Sequence, residues 1–359
     1  MVACISRKIQ FNPSTLKVSY NAGTSKVQTM VTDFFVFNNG YELERVGACG
    51  FGTNWKYEIG TRPPDDDIGA GINDVYVRNN KIYLCGKVRT DEDSNVGNLR
   101  VLDYSGTNLL TITVSDVSNV FQLFGIVADG SGNIYTTGTS DSDGYFVYKY
   151  NSTGTEQWHY EIGQDGERVT IDANNNIYVV GGTGTDEDSN LGDVRKINTA
   201  GVLQWCTDTL IDNTTYDVTL DSSGNVYIAG VDDTNVNVVK LNNSGTVQWS
   251  VLVDSVSEDC NAIAVDSDDY LYVITEDNIL RKVDPSDGSQ VWETALESFD
   301  YGRQKLFVDI TTFGEDIIVV REDTHITGYD TDGNEEFSGA ADSGAYYGFG
   351  GSGQMVPYT

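Results

Sequence analysis

The sequence predicts an all-β fold built from repeated four-stranded antiparallel sheets, and three observations support it. Asp outnumbers Glu by 38 to 16, and the chain also holds 38 Gly and 21 Tyr. Asp and Gly favour tight turns, whereas Tyr favours strands. Short apolar runs bounded by turn residues follow one another along the chain, and none shows a sustained helical period. Finally, one segment pattern repeats at a nearly constant interval.

The repeat is clearest in the middle of the chain. The unit at 168–205 contains RVTIDANNNIYVVGGT, DVRKIN and TAGVLQW, and the unit at 216–249 contains YDVTLDSSGNVYIAGV and NVVKLNNSGTVQW. Similar units occupy 124–158 and 262–292. Each unit holds four strand-length segments separated by Gly, Asn, Asp and Ser. A four-stranded sheet cannot bury both of its faces alone, so the units are expected to stack on one another.

A bulky residue in the fourth predicted strand marks each copy of the repeat. The seven markers are Trp55, Leu110, Trp158, Trp205, Trp249, Trp292 and Phe337. Their spacing of roughly 45 residues matches the four-stranded blade of a β-propeller. The sequence therefore predicts a seven-bladed β-propeller of four-stranded antiparallel blades. We expect the markers to be structural residues that pack between blades, not a platform that stacks on a ligand.

The chain divides into three regions on this prediction. Residues 1–30 form an N-terminal arm and the first strands of blade one, 31–338 form the blades, and 339–359 form a Gly- and aromatic-rich C-terminal arm. The ring closes either through N-terminal strands alone or through a strand added by the C-terminal arm. Four segments can supply the first blade: Ile9–Phe11, Leu16–Tyr20, Phe34–Asn38 and Trp55–Ile59.

The charge excludes two classes of partner. The net charge is −32, so the field of the protein repels nucleic acid and anionic lipid surfaces. No apolar run approaches the roughly 18 residues of a membrane helix, so no membrane insertion is expected. Residues 1–18 also lack the apolar core of a secretory signal. The expected location is a virion or, failing that, the cytoplasm.

Two segments resemble known repeats. GNIYTTGT followed by YFVYKYNSTGTEQW resembles the repeat of the bacterial seven-bladed β-propeller family. VDPSDGSQVW at Val283–Trp292 resembles the quinoprotein-type repeat. The resemblance implies the propeller architecture, which hosts enzymes, lectins and scaffolds alike. The resemblance to the quinoprotein-type repeat implies a quinone-dependent dehydrogenase as one option. Against this option, the chain has no adjacent cysteine pair and few basic residues.

No catalytic residue is predicted. The five cysteines are widely spaced without a CxxC pair, which is typical of reduced, separate thiols. The two histidines, His159 and His325, have no recurring Ser or Cys partner, so a nucleophilic triad has no support. Carboxylate pairs for glycoside hydrolysis cannot be chosen from dozens of candidates.

The most distinctive acidic element occurs twice, as TDEDSNVG at Thr90–Gly97 and TDEDSNLG at Thr185–Gly192. Alternate oxygen-bearing side chains of this kind suit calcium. The EF-hand glutamate is missing, however, because Leu102 and Ile197 stand eleven residues after the first Asp. The sequence leaves two readings open, a calcium loop or a solvent-exposed hairpin. The candidate metal ligands are Asp91, Asp93, Asn95, Asp186, Asp188 and Asn190.

These observations predict a non-enzymatic propeller for interaction or assembly. Its partners would be protein subunits of a larger assembly, and its setting a bacteriophage virion, as a decoration, tail or fibre-associated protein. The first alternative is a calcium-assisted module that binds a glycan or another cell-surface ligand. The second is a quinone-dependent or glycoside-processing enzyme. Calcium is the only cofactor that the sequence suggests.

Overall fold

The computed structural model of the chain is all-β in the residues that it describes. In this part of the chain, no helix is long and apolar enough to cross a membrane. The described residues are 9–12, 17–21, 25–28, 33–38, 42–47, 53–58, 71–91, 94–114, 121–140, 144–162, 166–181, 193–209, 211, 214–232, 235–254, 260–275, 277–296, 305–310, 316–322 and 325–340.

The described strands form eight antiparallel sheets. Two sheets have three strands: β1 (Ile9–Asn12), β2 (Lys17–Asn21), β3 (Ser25–Gln28); and β4 (Asp33–Asn38), β5 (Glu42–Gly47), β6 (Thr53–Glu58). Six sheets have four strands: β7 (Gly71–Arg78), β8 (Lys81–Asp91), β9 (Ser94–Asp103), β10 (Asn108–Val114); β11 (Phe121–Ala128), β12 (Ile134–Ser140), β13 (Gly144–Tyr150), β14 (Glu156–Glu161); β15 (Gly166–Ile171), β16 (Ile177–Gly181), β17 (Asp193–Ile197), β18 (Leu203–Asp208); β19 (Thr214–Leu220), β20 (Val226–Asp232), β21 (Asn235–Leu241), β22 (Val247–Asp254); β23 (Cys260–Val265), β24 (Leu271–Thr275), β25 (Ile279–Val283), β26 (Gln290–Ala295); and β27 (Lys305–Ile310), β28 (Asp316–Glu322), β29 (His325–Tyr329), β30 (Glu335–Ala340).

Each four-stranded sheet runs up and down in sequence order, and successive sheets meet through their first strands. β11 contacts β7 and β15, β15 contacts β19, and β23 contacts β19 and β27. This arrangement is the radial stacking of a β-propeller, so the predicted fold class is confirmed. The six four-stranded sheets are six blades, and a count of seven is consistent with them.

The N-terminal region differs from the predicted first blade. It holds six strands in two three-stranded sheets, where the sequence pattern predicts four strands. The strands that the pattern misses are β3 and β5. Each follows a short Asn- and Gly-containing segment, at 21–23 and 38–40, and such segments favour hairpins. Residues 1–8 and 341–359 lie outside the described set, so the two arms remain predictions.

The core lies between successive sheets. Second strands are buried on both faces, as in β24, where all five residues are buried. In fourth strands half-buried and exposed residues alternate, because one face meets the next blade while the other faces solvent. A fully buried tyrosine occupies the same second-strand position in five blades: Tyr83, Tyr135, Tyr178, Tyr227 and Tyr272.

The tight turns explain the abundance of Asp, Asn and Gly. In the turn between β11 and β12, one carboxylate oxygen of Asp129 accepts hydrogen bonds from the amides of Ser131 and Asn133, both at 2.9 Å. In the turn between β13 and β14, the Asn151 side-chain oxygen accepts from Thr153 and Thr155 at 3.0 and 2.9 Å. A short side chain that bonds its own backbone fixes each turn.

The two ends of a blade therefore differ. Because neighbouring strands are antiparallel, the turns after the first and third strands share one face of the propeller, here called the turn face. The connections after the second and fourth strands leave from the opposite face, here called the loop face. Loops on a rigid scaffold are the usual place for binding residues, so the loop face is the first place to look for a site.

Candidate functional site

The fourth-strand tryptophans join each blade to the next at the turn face. In four blades the indole Nε1 donates a hydrogen bond to a backbone carbonyl in the third turn of the following blade. The donor and acceptor residues are Trp158 and Thr199 (3.1 Å), Trp205 and Asn243 (3.1 Å), Trp249 and Pro285 (3.2 Å), and Trp292 and Thr331 (3.0 Å). The indoles lie between blades, where they bury apolar area and satisfy their one donor.

A third-strand lysine donates to the same carbonyl as the tryptophan. The Nζ atoms and acceptor residues are Lys149 and Thr199 (2.7 Å), Lys196 and Asn243 (3.4 Å), Lys240 and Pro285 (2.8 Å), and Lys282 and Thr331 (3.0 Å). Two donors from one blade thus converge on one oxygen of the next. We call this set of contacts the blade tie.

Tyrosine and aspartate complete the tie. In the β19–β22 blade, Lys240 Nζ lies 4.8 Å from the centre of the Tyr227 ring and 3.5 Å from Asp221. The Tyr227 hydroxyl lies 3.4 Å from the same carboxylate oxygen, and its ring meets Trp249 edge-on. The cation–π contact and the carboxylate offset the cost of placing the ammonium between two blades.

The equivalent lysines in two other blades also lie close to a turn aspartate. Lys196 and Lys282 lie 3.9 and 3.6 Å from Asp172 and Asp266. Burial lowers the pKa of Lys149 and Lys196, and a neighbouring aspartate opposes that shift. Burial and the adjacent aspartate both raise the pKa of the buried tyrosines, which stay protonated as donors.

Glycine is required where the turn of one blade touches the indole of the preceding blade. Gly245 has φ +80°, and a Cβ built there would lie 2.7 Å from the Trp205 ring. Gly201 has φ +81°, and its Cβ would lie 2.8 Å from Trp158. Leu110 stands in the tryptophan position of the β7–β10 blade, where its Cδ1 meets the corresponding Gly154 in the same way.

The loop face carries buried charge instead. Arg281 is 5 % exposed, and its Nη2 lies 2.9 Å from Asp277 and 3.3 Å from Asp254, the last residue of the preceding blade. Its Nε lies 3.6 Å from Glu293. Burial raises the pKa of Asp277, but hydrogen bonds from Arg281 and Thr275 outweigh it, so this pKa lies below its ordinary value. This cluster joins two blades by charge.

Inner strands carry a second polar contact between blades. Asp217 accepts hydrogen bonds from the amide of Val218 at 2.9 Å and from Ile263 of the next blade at 3.0 Å. Asp74 accepts from Ile126 of its next blade at 2.9 Å. Each Asp follows a break in the pairing between first and second strands. The same break occurs in five blades, between Ile72 and Asp74, Leu123 and Ile126, Gly166 and Arg168, Thr215 and Asp217, and Cys260 and Ala262.

The structure gives a partial view of the predicted calcium ligands. Asp91 ends β8 and Asn95 belongs to β9, in a hairpin that pairs Asp91 with Ser94 and Arg89 with Asn95 at the loop face. The remaining candidates, Asp93, Asp186, Asp188 and Asn190, lie outside the described residues. Where side chains are described, no three His, Cys, Asp or Glu residues are arranged to hold a metal. The ligand set therefore stays a prediction.

The side chains of the two terminal markers, Trp55 and Phe337, are outside the described set. Trp55 is paired with Arg45 in the β4–β6 sheet, and Phe337 is paired with Gly328 in the last blade. The backbone places Phe337 on the fourth strand of its sheet, as the repeat predicts, whereas Trp55 lies on the third strand of a three-stranded sheet. Their packing stays a prediction.

The lysines and tyrosines of the blade tie are functional residues that the sequence pattern could have revealed. Tyr stands six residues after the turn Asp in four units, and Lys stands nine residues before Trp in three. A polar residue repeated at a fixed place in buried strands signals a repeated contact. An Arg also precedes the tie lysine at Arg195, but the acidic partners of Arg281 come from two blades, so the sequence does not signal this cluster.

The stacked blades and their ties define the chain as a β-propeller repeat protein. The PQQ_2 family model, described as outer membrane protein assembly factor BamB, matches residues 232–358, and a model described as beta-propeller repeat matches 122–146. The resemblance to bacterial propeller repeats with quinoprotein-like character is thereby confirmed. No curated protein sequence matches the chain.

Solved structures share the fold at low identity. BamB from Moraxella catarrhalis has a TM-score of 0.50 and 12 % identity over 94 % of this chain and 87 % of that one. A streptogramin B lyase has a TM-score of 0.55 and 14 % identity over 75 % and 82 %. The WD40 propeller domain of Doa1 has a TM-score of 0.54 and 13 % identity over 78 % and 85 %. These similarities establish the fold and assign no activity.

The glycine requirement gives a direct test of the blade tie. We expect Gly245→Ala to lower the free energy of unfolding by about 2–5 kcal/mol, because left-handed backbone strain adds to overpacking against Trp205. Gly144→Ala is the matched control, since Gly144 has φ +82° but nothing within 4 Å of its Cβ position. It should cost only about 1–2 kcal/mol. Urea unfolding midpoints measure both, and equal losses would contradict the tie.

The Arg281 cluster predicts a pH effect. The folded-state pKa of Asp277 lies below its ordinary value of 3.8, so its stabilisation is present above that pH and is lost as pH falls through the folded-state pKa. We expect Asp277→Asn to be less stable than the parent at neutral pH and to lose less stability on acidification. Asp332→Asn, at an exposed turn residue, is the control. Parallel acid unfolding curves for the parent and Asp277→Asn would refute the assignment.

Proposed function

We propose that the chain is a non-enzymatic β-propeller that serves as an interaction and assembly module. The observation that carries this proposal is how its cations are used. Residues 101–302 contain seven Lys and Arg against 33 Asp and Glu. All seven are buried or half-buried, and four of them form blade ties. The repeated polar chemistry in these blades therefore holds the propeller together.

The same use of cations shapes the surface. With its lysines and arginines turned inward, this stretch presents carboxylates, amides and hydroxyls to solvent. A rigid scaffold with a one-signed surface suits recognition of another protein, because fixed groups lose little entropy on binding and like-charged partners are rejected. The match to a model named for an assembly factor supports the same role.

The histidine that the structure describes in side-chain detail supports a non-catalytic role. His159 lies on the outer strand of its blade, exposed, with its Nδ1 2.9 Å from Glu156 Oε1. A pair that is this exposed is open to water, which does not favour a general acid or base. The proposal therefore assigns no reaction to the chain, although a lyase shares its fold.

As the setting for this role we propose a bacteriophage virion, in a decoration, tail or fibre-associated position. This part rests on the sequence, which combines a repeat architecture with no visible catalytic set. We expect antibodies raised against the chain to label intact particles released from the cells that encode it, as seen by immunogold electron microscopy. Preimmune serum is the control. Labelling of free protein alone would contradict a virion role while leaving the assembly role to be judged from the complexes that the chain forms.

The second candidate is calcium-assisted binding of a glycan or other cell-surface ligand. The hairpin register favours it, because Asp91 and Asn95 stand near one another at the tip of the β8–β9 hairpin on the loop face. We expect calorimetric titration with calcium to release or absorb heat and calcium to raise the melting temperature. Asp91→Asn and Asp186→Asn together should abolish both effects, whereas Asp332→Asn should not. If calcium produced no heat and no change in the melting temperature of the parent chain, the calcium site would be contradicted.

A further inference from the structure

The outer strand of each blade has a free edge. In all six four-stranded sheets the fourth strand is terminal, and no described strand pairs with its far side. Such an edge exposes unpaired backbone donors and acceptors and is a template for another strand. Proteins usually protect these edges with charged side chains. The six edges in the described part of the chain can therefore be compared by the exposed charged residues on each outer strand.

Four of the outer strands are guarded by carboxylates. Each has at least one exposed Asp or Glu, and these include Glu161 on β14, Asp208 on β18, Glu293 on β26 and Glu335 on β30. The remaining two, β10 and β22, have no charged residue on an exposed position. Asp254 belongs to β22 but is buried, and it pairs with Arg281.

β22 is the better template of these two strands. It is the longest outer strand, with eight residues, and its solvent-facing row is Gln248, Ser250 and Leu252. Leu252 is 57 % exposed and is itself paired with Asn237 of β21, although the next residue, Val253, falls in a break in that pairing. On β10 the exposed apolar residue is Leu109, which lies at a break in the pairing with β9 and is poorly placed to accept a strand.

The charge around β22 selects the partner. The outer strands of the two neighbouring blades carry exposed carboxylates, Asp208 before it and Glu293 after it. The 101–302 stretch that contains these strands has seven Lys and Arg against 33 Asp and Glu, so its net charge is strongly negative. A second copy of this chain, with a net charge of −32, would be repelled. A segment that carries positive side chains would be attracted and steered to the edge.

We propose that the free edge of β22 accepts an extended basic segment of a partner protein as an added strand. Backbone hydrogen bonds would provide the pairing, Leu252 an apolar contact, and the neighbouring carboxylates the preference for lysine and arginine. The proposal rests on the proposed role as an interaction module and names the chemistry of one partner.

A short peptide of alternating lysine and threonine is the probe. It should bind the full-length chain in a fluorescence anisotropy titration at low salt, and more weakly as salt rises. Hydrogen exchange should slow at the amides of 247–253 and not at those of 290–295. A peptide of alternating glutamate and threonine should not bind.

The variant test places a charged side chain on the β22 edge. Leu252→Lys should weaken binding of the basic peptide about fivefold, because it sets like charges on adjacent strands. Val291→Lys is the matched control, since Val291 is a 49 % exposed apolar residue on the already guarded β26. It should bind like the parent. Unchanged circular dichroism and melting temperature show that both variants fold.

Three results would overturn the proposal. These are equal affinity of the two variants, equal affinity for the acidic peptide, and dimers of the parent that disappear in Leu252→Lys, which would make a second copy the occupant. Failure here is separable from failure of the assembly role. If the Leu252→Lys chain still enters the same complexes in cells, the assembly role stands and the edge does not carry it.

Discussion

The structure depends on one backbone carbonyl in the third turn of four blades, which receives both the indole and the ammonium of the preceding blade. In the pair formed by the β19–β22 and β23–β26 blades, Trp249 and Lys240 both donate to Pro285. This convergence fixes the distance between blades at the turn face, because neither donor can be satisfied if the next turn moves away. It also explains the surrounding residues. Glycine lets the turn approach the indole, tyrosine supports the ammonium, and aspartate balances its charge.

The tie also affects how charge is distributed in the chain. Each tie places one lysine between two blades, and Arg281 lies between two blades at the loop face in the same way. In 101–302 the lysines and arginines are buried or half-buried, so the exposed positions of this stretch carry carboxylates and no exposed cation. The way the blades are joined therefore decides where the positive charges of this stretch lie. An acidic surface of this kind favours repulsion between copies of the chain.

Much of this architecture could be predicted from the sequence because it is repeated. The interval between Trp158, Trp205 and Trp249 gives the blade length, and the Asp and Asn turns give the strand boundaries. The parts that occur once were not predictable. β3 and β5 belong to no repeat, and Arg281 meets Asp254 only after two blades have stacked. The calcium ligands at Asp91 and Asn95 stay a prediction, to which the structure adds that their strands pair almost to the tip of the hairpin.

The turn face, the loop face and the rim, which is formed by the outer strands of the blades, differ in where recognition can evolve. The turn face is occupied by ties, so a change there costs stability. The rim is different, because the solvent-facing row of an outer strand contributes little to blade packing. Glu293 on β26 and Ser250 on β22 make two edges differ in charge, while both strands keep their tryptophan. A backbone that repeats around a ring can therefore present edges of different charge, and the solvent-facing side chains of the outer strands set that difference.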